Sequence, residues 1–197
     1  NDADAGRIGV VSIGSGAYNS ANYSVAIGQG AYNSTTYSVA MGEGAHNTNT
    51  YSTSIGTDAY SQGEYSTSVG YFARIVGASS HHNVALGSSA YVFNCEKSVS
   101  IGRQPQAKGD EGVSIGYSAG VRSNAGGKNV AIGSNPACKE AGGIALGYRA
   151  TARGENSIAI GYSTAFDGDT SVTNAYSISL GAYASAPTSG LVIATFL

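Results

Sequence analysis

Along this chain apolar residues recur in pairs two positions apart, with a small residue between them and a glycine directly after. The pattern appears as Val11-Ser12-Ile13-Gly14, Val25-Ala26-Ile27-Gly28 and Val39-Ala40-Met41-Gly42, and it continues to Ile178-Ser179-Leu180-Gly181. Twelve glycines close the motif: Gly14, Gly28, Gly42, Gly56, Gly70, Gly87, Gly102, Gly116, Gly133, Gly147, Gly161 and Gly181. They are separated by 14, 14, 14, 14, 17, 15, 14, 17, 14, 14 and 20 residues, a register that identifies an internal repeat. A period of two is the signature of a β-strand. Alanine recurs three residues after the glycine, as at Ala17, Ala31, Ala45 and Ala59, and polar turns such as Asn19-Ser20 follow. Each unit therefore predicts an apolar strand, a glycine corner, a second short strand around the alanine, and a polar return. A tight corner repeated in every coil calls for a residue that accepts positive φ or lacks a Cβ.

One such coil is too thin to bury a core, so coils must stack, each strand pairing with its equivalents above and below at about 4.8 Å. The expected fold is all-β, a parallel β-roll or β-solenoid of about twelve 14-residue coils. Twelve coils give a rod on the order of 55–60 Å long. The longer spacings fit residues bulging from a corner. Residues 1–197 read as a single domain, with repeats over about 8–185 and a non-repeat tail at 186–197 that includes the apolar run 191–197. The pattern leaves open which strand face looks into the coil. Columns of Val and Ile along such a stack exceed what one chain covers, and closed symmetry with identical copies is the natural way to hide them. Trimerisation is the natural expectation, although periodicity alone does not fix the number of copies.

Composition narrows the class. Of 197 residues 29 are Gly and only 3 are Pro, and charged residues are 11%. Glycine lacks the collagen period of three, and 42% apolar content with little charge is not that of a disordered chain. No stretch approaches the roughly 20 apolar residues of a membrane helix, so no direct membrane insertion is expected of this segment. A net charge of −2 gives no reason to expect nucleic acid as a partner. The first 72 residues carry five acids and only Arg7 as a base, a mild asymmetry suited to solvated faces. The start at Asn1, with no signal-like apolar run, fits a piece of a longer product.

The units Asn22-Tyr23-Ser24-Val25-Ala26-Ile27-Gly28, Asn129-Val130-Ala131-Ile132-Gly133 and Asn156-Ser157-Ile158-Ala159-Ile160-Gly161 resemble the head repeats of YadA-like trimeric autotransporter adhesins. The resemblance implies a left-handed roll assembled as an intertwined homotrimer. It also implies display from the outer membrane at a bacterial cell surface, and binding to an extracellular matrix protein or a cell-surface protein or glycan. The heptad stalk, neck and anchor strands of such adhesins find no counterpart in these residues, and Cys95 and Cys138 are unusual for such heads. The same repeats occur in tail fibres of phages and contractile injection machines, which fold where thiols stay reduced. A trimeric rod and receptor-binding segment of such a fibre is the alternative reading.

Tyrosine is the side chain in unexplained excess, with fourteen copies. Tyr23, Tyr37, Tyr51 and Tyr65 each stand five residues before a corner glycine and should stack as a ladder. Tyr18, Tyr32 and Tyr60 form a second column four residues after it, with His46 in the gap. Such ladders either stiffen the stack and shield strand edges or present a low-charge aromatic strip to a protein or carbohydrate. No catalytic role, cofactor or metal is expected. His46 reads as a surface rung. His81-His82 is a loop pair that could meet its copies at a threefold axis around zinc or nickel, although polar surface is the simpler reading. Cys95 and Cys138 fall in different phases of the coil, which suits buried free thiols better than a disulfide. Gly14-Ser15-Gly16 and Gly28-Gln29-Gly30 lack the helix and spacing of phosphate loops. Asp2-Ala3-Asp4-Ala5-Gly6 and Asp167-Gly168-Asp169 read as turns, not calcium loops. No long exposed threonine column supports ice binding.

Overall fold

The computed structural model describes residues 7–77, 79–121, 127–164, 175–186 and 190–193. The chain divides into two compact units, Asn1–Lys97 and Ser98–Leu197, both made of parallel strands, with no helix among the described residues. The first unit has six three-residue strands, from Val11–Ile13 to Val84–Leu86, alternating with six strands of two or three residues, from Tyr18–Asn19 to Tyr91–Phe93. In the second unit, seven strands from Val99–Ile101 to Leu191–Ile193 alternate with four from Gln106–Ala107 to Thr151–Ala152. The result is a parallel β-solenoid of about twelve turns. Register carries each repeat onto the next, Val25 on Val39, Ala26 on Ala40 and Ile27 on Met41. Amides bond to both neighbouring coils, with Val25 N–H donating to Ser38 O in the next coil at 3.0 Å and Gly42 N–H donating to Ile27 O in the preceding one at 2.7 Å.

Burial settles the orientation that periodicity leaves open. The small residue of each motif faces inward: Ala26, Ala40, Ser54, Ser68 and Ala85 are fully buried. Across the coil they meet Ala31, Ala45, Ala59, Ala73 and Ala90, also fully buried. A coil of so few residues has room for little more than a Cβ from each wall, which is why Ala and Ser fill it. The larger apolar residues point outward, half-buried by their neighbours in the column, with Ile13 57% and Ile132 38% exposed.

Behind the short strands of the first unit the interior turns polar, in a clasp between Asn and the Ser five residues later. Asn33 Nδ2 donates to Ser38 O at 2.9 Å, while Ser38 Oγ donates to Asn33 Oδ1 at 2.6 Å. Asn19 and Ser24 repeat the pair. Both residues are buried, so these bonds satisfy groups that would otherwise cost about 1–3 kcal/mol each. Later coils fill the same inner position with Ile75, Val92, Val121 or Cys138.

All twelve corner glycines have φ between 107° and 135°. A Cβ on Gly56 would lie 2.6 Å from the carbonyl oxygen of Gly70 in the next coil. Positive φ and backbone crowding thus both apply at this corner. The second strand differs slightly from expectation. The recurring alanine sits in the corner, with Ala17 N–H turned back to Gly14 O at 3.3 Å, and the ladder starts one residue later with Tyr18 N–H to Ala31 O at 2.8 Å. Because that position donates nothing to the ladder, Pro105 and Pro136 occupy it while fully buried.

Longer coils keep the stack in register. Thr67 pairs with Val84 and Val113 with Val130 across 17-residue spacings, and Ile158 pairs with Ile178 across the 20-residue one. The tail also supplies a rung, since Leu191, Val192 and Ile193 pair with Ile178, Ser179 and Leu180. Their alternation of apolar residues fits the column even without a closing glycine.

Candidate functional site

The aromatic ladder forms along the first unit. Ring centroids are 5.2 Å apart for Tyr23 and Tyr37, 5.1 Å for Tyr37 and Tyr51, and 4.8 Å for Tyr51 and Tyr65, with planes within 4° of parallel. The strand-to-strand step sets that spacing, so in-register rings have little choice but to stack. His82 continues the column 5.1 Å from Tyr65 with planes 10° apart. It is a ladder rung, not merely the second half of a loop pair. Counting five residues back from Gly87 places it there, a signal hidden by the longer coil. Among the described residues no three His, Cys, Asp or Glu side chains gather as a metal-binding group.

Sequence reasoning missed the backbone under this ladder. Tyr23, Tyr37, Tyr51 and Tyr65 have φ of 53–56°, the left-handed region that costs an ordinary L-residue about 1–2 kcal/mol. Gly9, Gly142 and Asn156, the residue types that favour this region, hold the equivalent position in other coils, and Lys97, Glu111, Lys128 and Tyr176 hold it in further coils, all at positive φ. Tyrosine is therefore not there for the turn. Each of the four rings is about half exposed, between 47% and 52%.

The second column stacks less evenly. Tyr18 and Tyr32 lie 5.0 Å apart at 15°, His46 tilts 40° from Tyr32, and Tyr60 meets His46 edge-on at 67°. His46 is a rung, as its position implies, and partial burial pushes its pKa below the usual imidazole value. In the second unit a third aromatic group appears that spacing did not single out: Tyr148 stacks on Tyr162 at 4.9 Å, and Tyr162 meets Tyr183 edge-on. The proximity of Tyr183, foremost among the causes, raises the Tyr162 phenol above its ordinary pKa.

The remaining candidates are chemically quiet. Cys95 and Cys138 are both buried thiols outside any disulfide. Burial pushes the Cys138 thiol up to about 12, against small opposing effects from backbone hydrogen bonds, so little nucleophilic thiolate forms near neutral pH. Gly14-Ser15-Gly16 and Gly28-Gln29-Gly30 are corners of the coil. The acidic stretches Asp2-Ala3-Asp4-Ala5-Gly6 and Asp167-Gly168-Asp169 lie outside the described residues. No helix among the described residues is long and apolar enough to cross a membrane.

No curated protein matches the chain. The YadA head domain repeat does match, over residues 48–73 in the first unit and 141–164 in the second. The first match contains the ladder rungs Tyr51 and Tyr65, and both contain two corner glycines. Each unit of this chain thus carries a copy of the YadA head domain repeat.

Proposed function

We propose that this chain is a non-catalytic, adhesive head segment of a trimeric bacterial surface adhesin, displayed from the outer membrane. Its ligand is a host matrix protein or a cell-surface protein or glycan. The half-exposed tyrosine ladder carries this reading. Four successive tyrosines of the first unit occupy a backbone position that Gly or Asn would hold without strain, and the coils with Gly9, Lys97, Glu111, Lys128, Gly142 and Asn156 do without a ring there. A selected aromatic surface with hydroxyl tips suits recognition of protein or carbohydrate. The ligand-facing residues are Tyr23, Tyr37, Tyr51 and Tyr65, joined by the column of Tyr18, Tyr32 and Tyr60.

In this proposal the chain winds left-handed and three copies associate through the outward Val and Ile columns, which leave a surface that water disfavours. Binding of the purified chain to an array of matrix proteins and surface glycans tests the reading. At least one matrix or glycan ligand should bind, and Tyr37→Ser with Tyr51→Ser should weaken it at least about tenfold without unfolding the protein. An empty array, or binding indifferent to both substitutions, contradicts it. The two buried thiols favour a second reading, a trimeric segment of a phage or injection-machine tail fibre assembled in a reducing cytosol. Tail genes flanking the native gene would select the fibre, and an encoded signal peptide and membrane anchor would select the adhesin.

A further inference from the structure

On the short-strand face of the first unit the second aromatic column is interrupted by a depression of about 320 Å³, with Gly44, His46, Asp58, Tyr60, Gln62 and Arg74 on its lining. Its origin is local. Two residues after the corner, three successive coils have Gly16, Gly30 and Gly44, and the next two have Asp58 and Phe72. The missing side chain at Gly44 opens a space beside His46, and the Asp58 carboxylate reaches over that glycine, so that a Cβ there would meet Asp58 Oδ1 at 2.5 Å. The edge-on contact of His46 with Tyr60, in place of the flat stack seen between Tyr18 and Tyr32, marks the same break.

The polar groups around the space are held in place and still have hydrogen-bonding capacity. Gln62 accepts the Gly77 amide on Oε1 at 3.1 Å, which fixes its side chain and leaves the Nε2 donors available. The Arg74 guanidinium lies over the Phe72 ring, 5.0 Å from its centroid, and its strand residue pairs in register with Tyr60. Asp58 and Arg74 both line the same space. The site thus presents a carboxylate that accepts, an amide and a guanidinium that donate, an aromatic ring, and the apolar wall of Val76. The opposite charges of Asp58 and Arg74 leave the lining balanced, and burial of His46 disfavours its charged form.

We propose that the depression between His46 and Arg74 is a subsite for one neutral pyranose of a matrix or cell-surface glycan. A pyranose has the matching duality. Its hydroxyls donate to a carboxylate and accept from an amide or guanidinium, while its C–H face lies against an aromatic ring. The volume is at the small end of the roughly 300–1,000 Å³ typical of ligand pockets, which fits a single sugar ring. The balance of charge favours a neutral sugar over an acidic one. This inference rests on the adhesive reading and assigns part of its specificity to a site apart from the Tyr23–Tyr65 ladder.

The test is titration of the full chain, by calorimetry, with methyl β-galactoside, methyl β-glucoside, methyl α-mannoside and methyl N-acetyl-β-glucosaminide. At least one should bind saturably in the millimolar range. Asp58→Asn, which keeps a residue type tolerant of positive φ, should weaken that binding about ten- to a hundredfold, and Arg74→Ala should also weaken it. Melting temperature checks that both variants fold. No saturable binding by any glycoside, or binding indifferent to both substitutions, overturns the subsite. A parallel arm measures binding to a glycoprotein from the matrix array before and after enzymatic deglycosylation. Binding that survives deglycosylation yet is lost in Asp58→Asn assigns the depression to a peptide and overturns the sugar. Array ligands bound with no glycoside response leave the adhesive reading standing while the subsite falls, whereas failure on the array contradicts the adhesive reading itself.

Discussion

A methyl group added at Gly56 and one added at Gly30 should have very different consequences. At Gly56 the φ is 124° and the new Cβ would meet the Gly70 carbonyl oxygen at 2.6 Å. At Gly30 the φ is 64° and nothing lies within 4 Å. Gly56→Ala should therefore cost at least about 3 kcal/mol, and Gly30→Ala about 1 kcal/mol. Urea unfolding curves compare them, and equal shifts would show that crowding between coils is not what the corner glycine relieves. The spacing of twelve glycines makes this corner legible in the sequence. The buried clasp between Asn33 and Ser38 is not, because Asn and Ser in a return turn look the same whether they face solvent or the interior. The five-residue offset shared by Asn19 with Ser24 and Asn33 with Ser38 is the available clue.

At the scale of the strand, alternation identifies the element but not its inner face. Hydrophobicity alone would turn Val25 and Ile27 inward, yet the fully buried residue is Ala26 between them. The deciding quantity is the width of the coil, set by its 14 residues, and no single strand contains that information. The ladder shows a similar division. Stacking of Tyr23, Tyr37, Tyr51 and Tyr65 follows from equal spacing, but their left-handed φ depends on the geometry of the return turn. These two facts give opposing energies. Left-handed strain costs about 1–2 kcal/mol per tyrosine, while an aromatic pair contributes about 0.5–1.5 kcal/mol. Tyr51→Gly removes both the strain and the two stacks on either side, so the net loss of stability should be no more than about 2 kcal/mol. Thermal unfolding measures this. A loss of 3 kcal/mol or more would mean that the ladder exists to hold the coils together, which would remove the argument that the rings were selected for a ligand.

For the whole molecule, glycine content and low charge have one origin in the repeat. Twelve of the 29 glycines are the corners, and the strand motifs spend their remaining positions on small interior residues and outward Val, Ile, Leu or Met. That outward face is the least self-sufficient feature of either unit. Ile13, Met41 and Ile55 in the first, and Ile132 and Ile160 in the second, are all at least 37% exposed. Repeat arithmetic exposed the need for a cover, and the resemblance of the repeat to trimeric adhesin heads supplied the number three. Association also bears on function, because copies joined through the Val and Ile columns would present three tyrosine ladders to one multivalent ligand. Sedimentation equilibrium of the purified chain is the most direct measurement of this account. The account predicts a single species of three times the 19.7 kDa chain mass, persisting on dilution to low micromolar concentration. A folded, stable monomer of 19.7 kDa would contradict it.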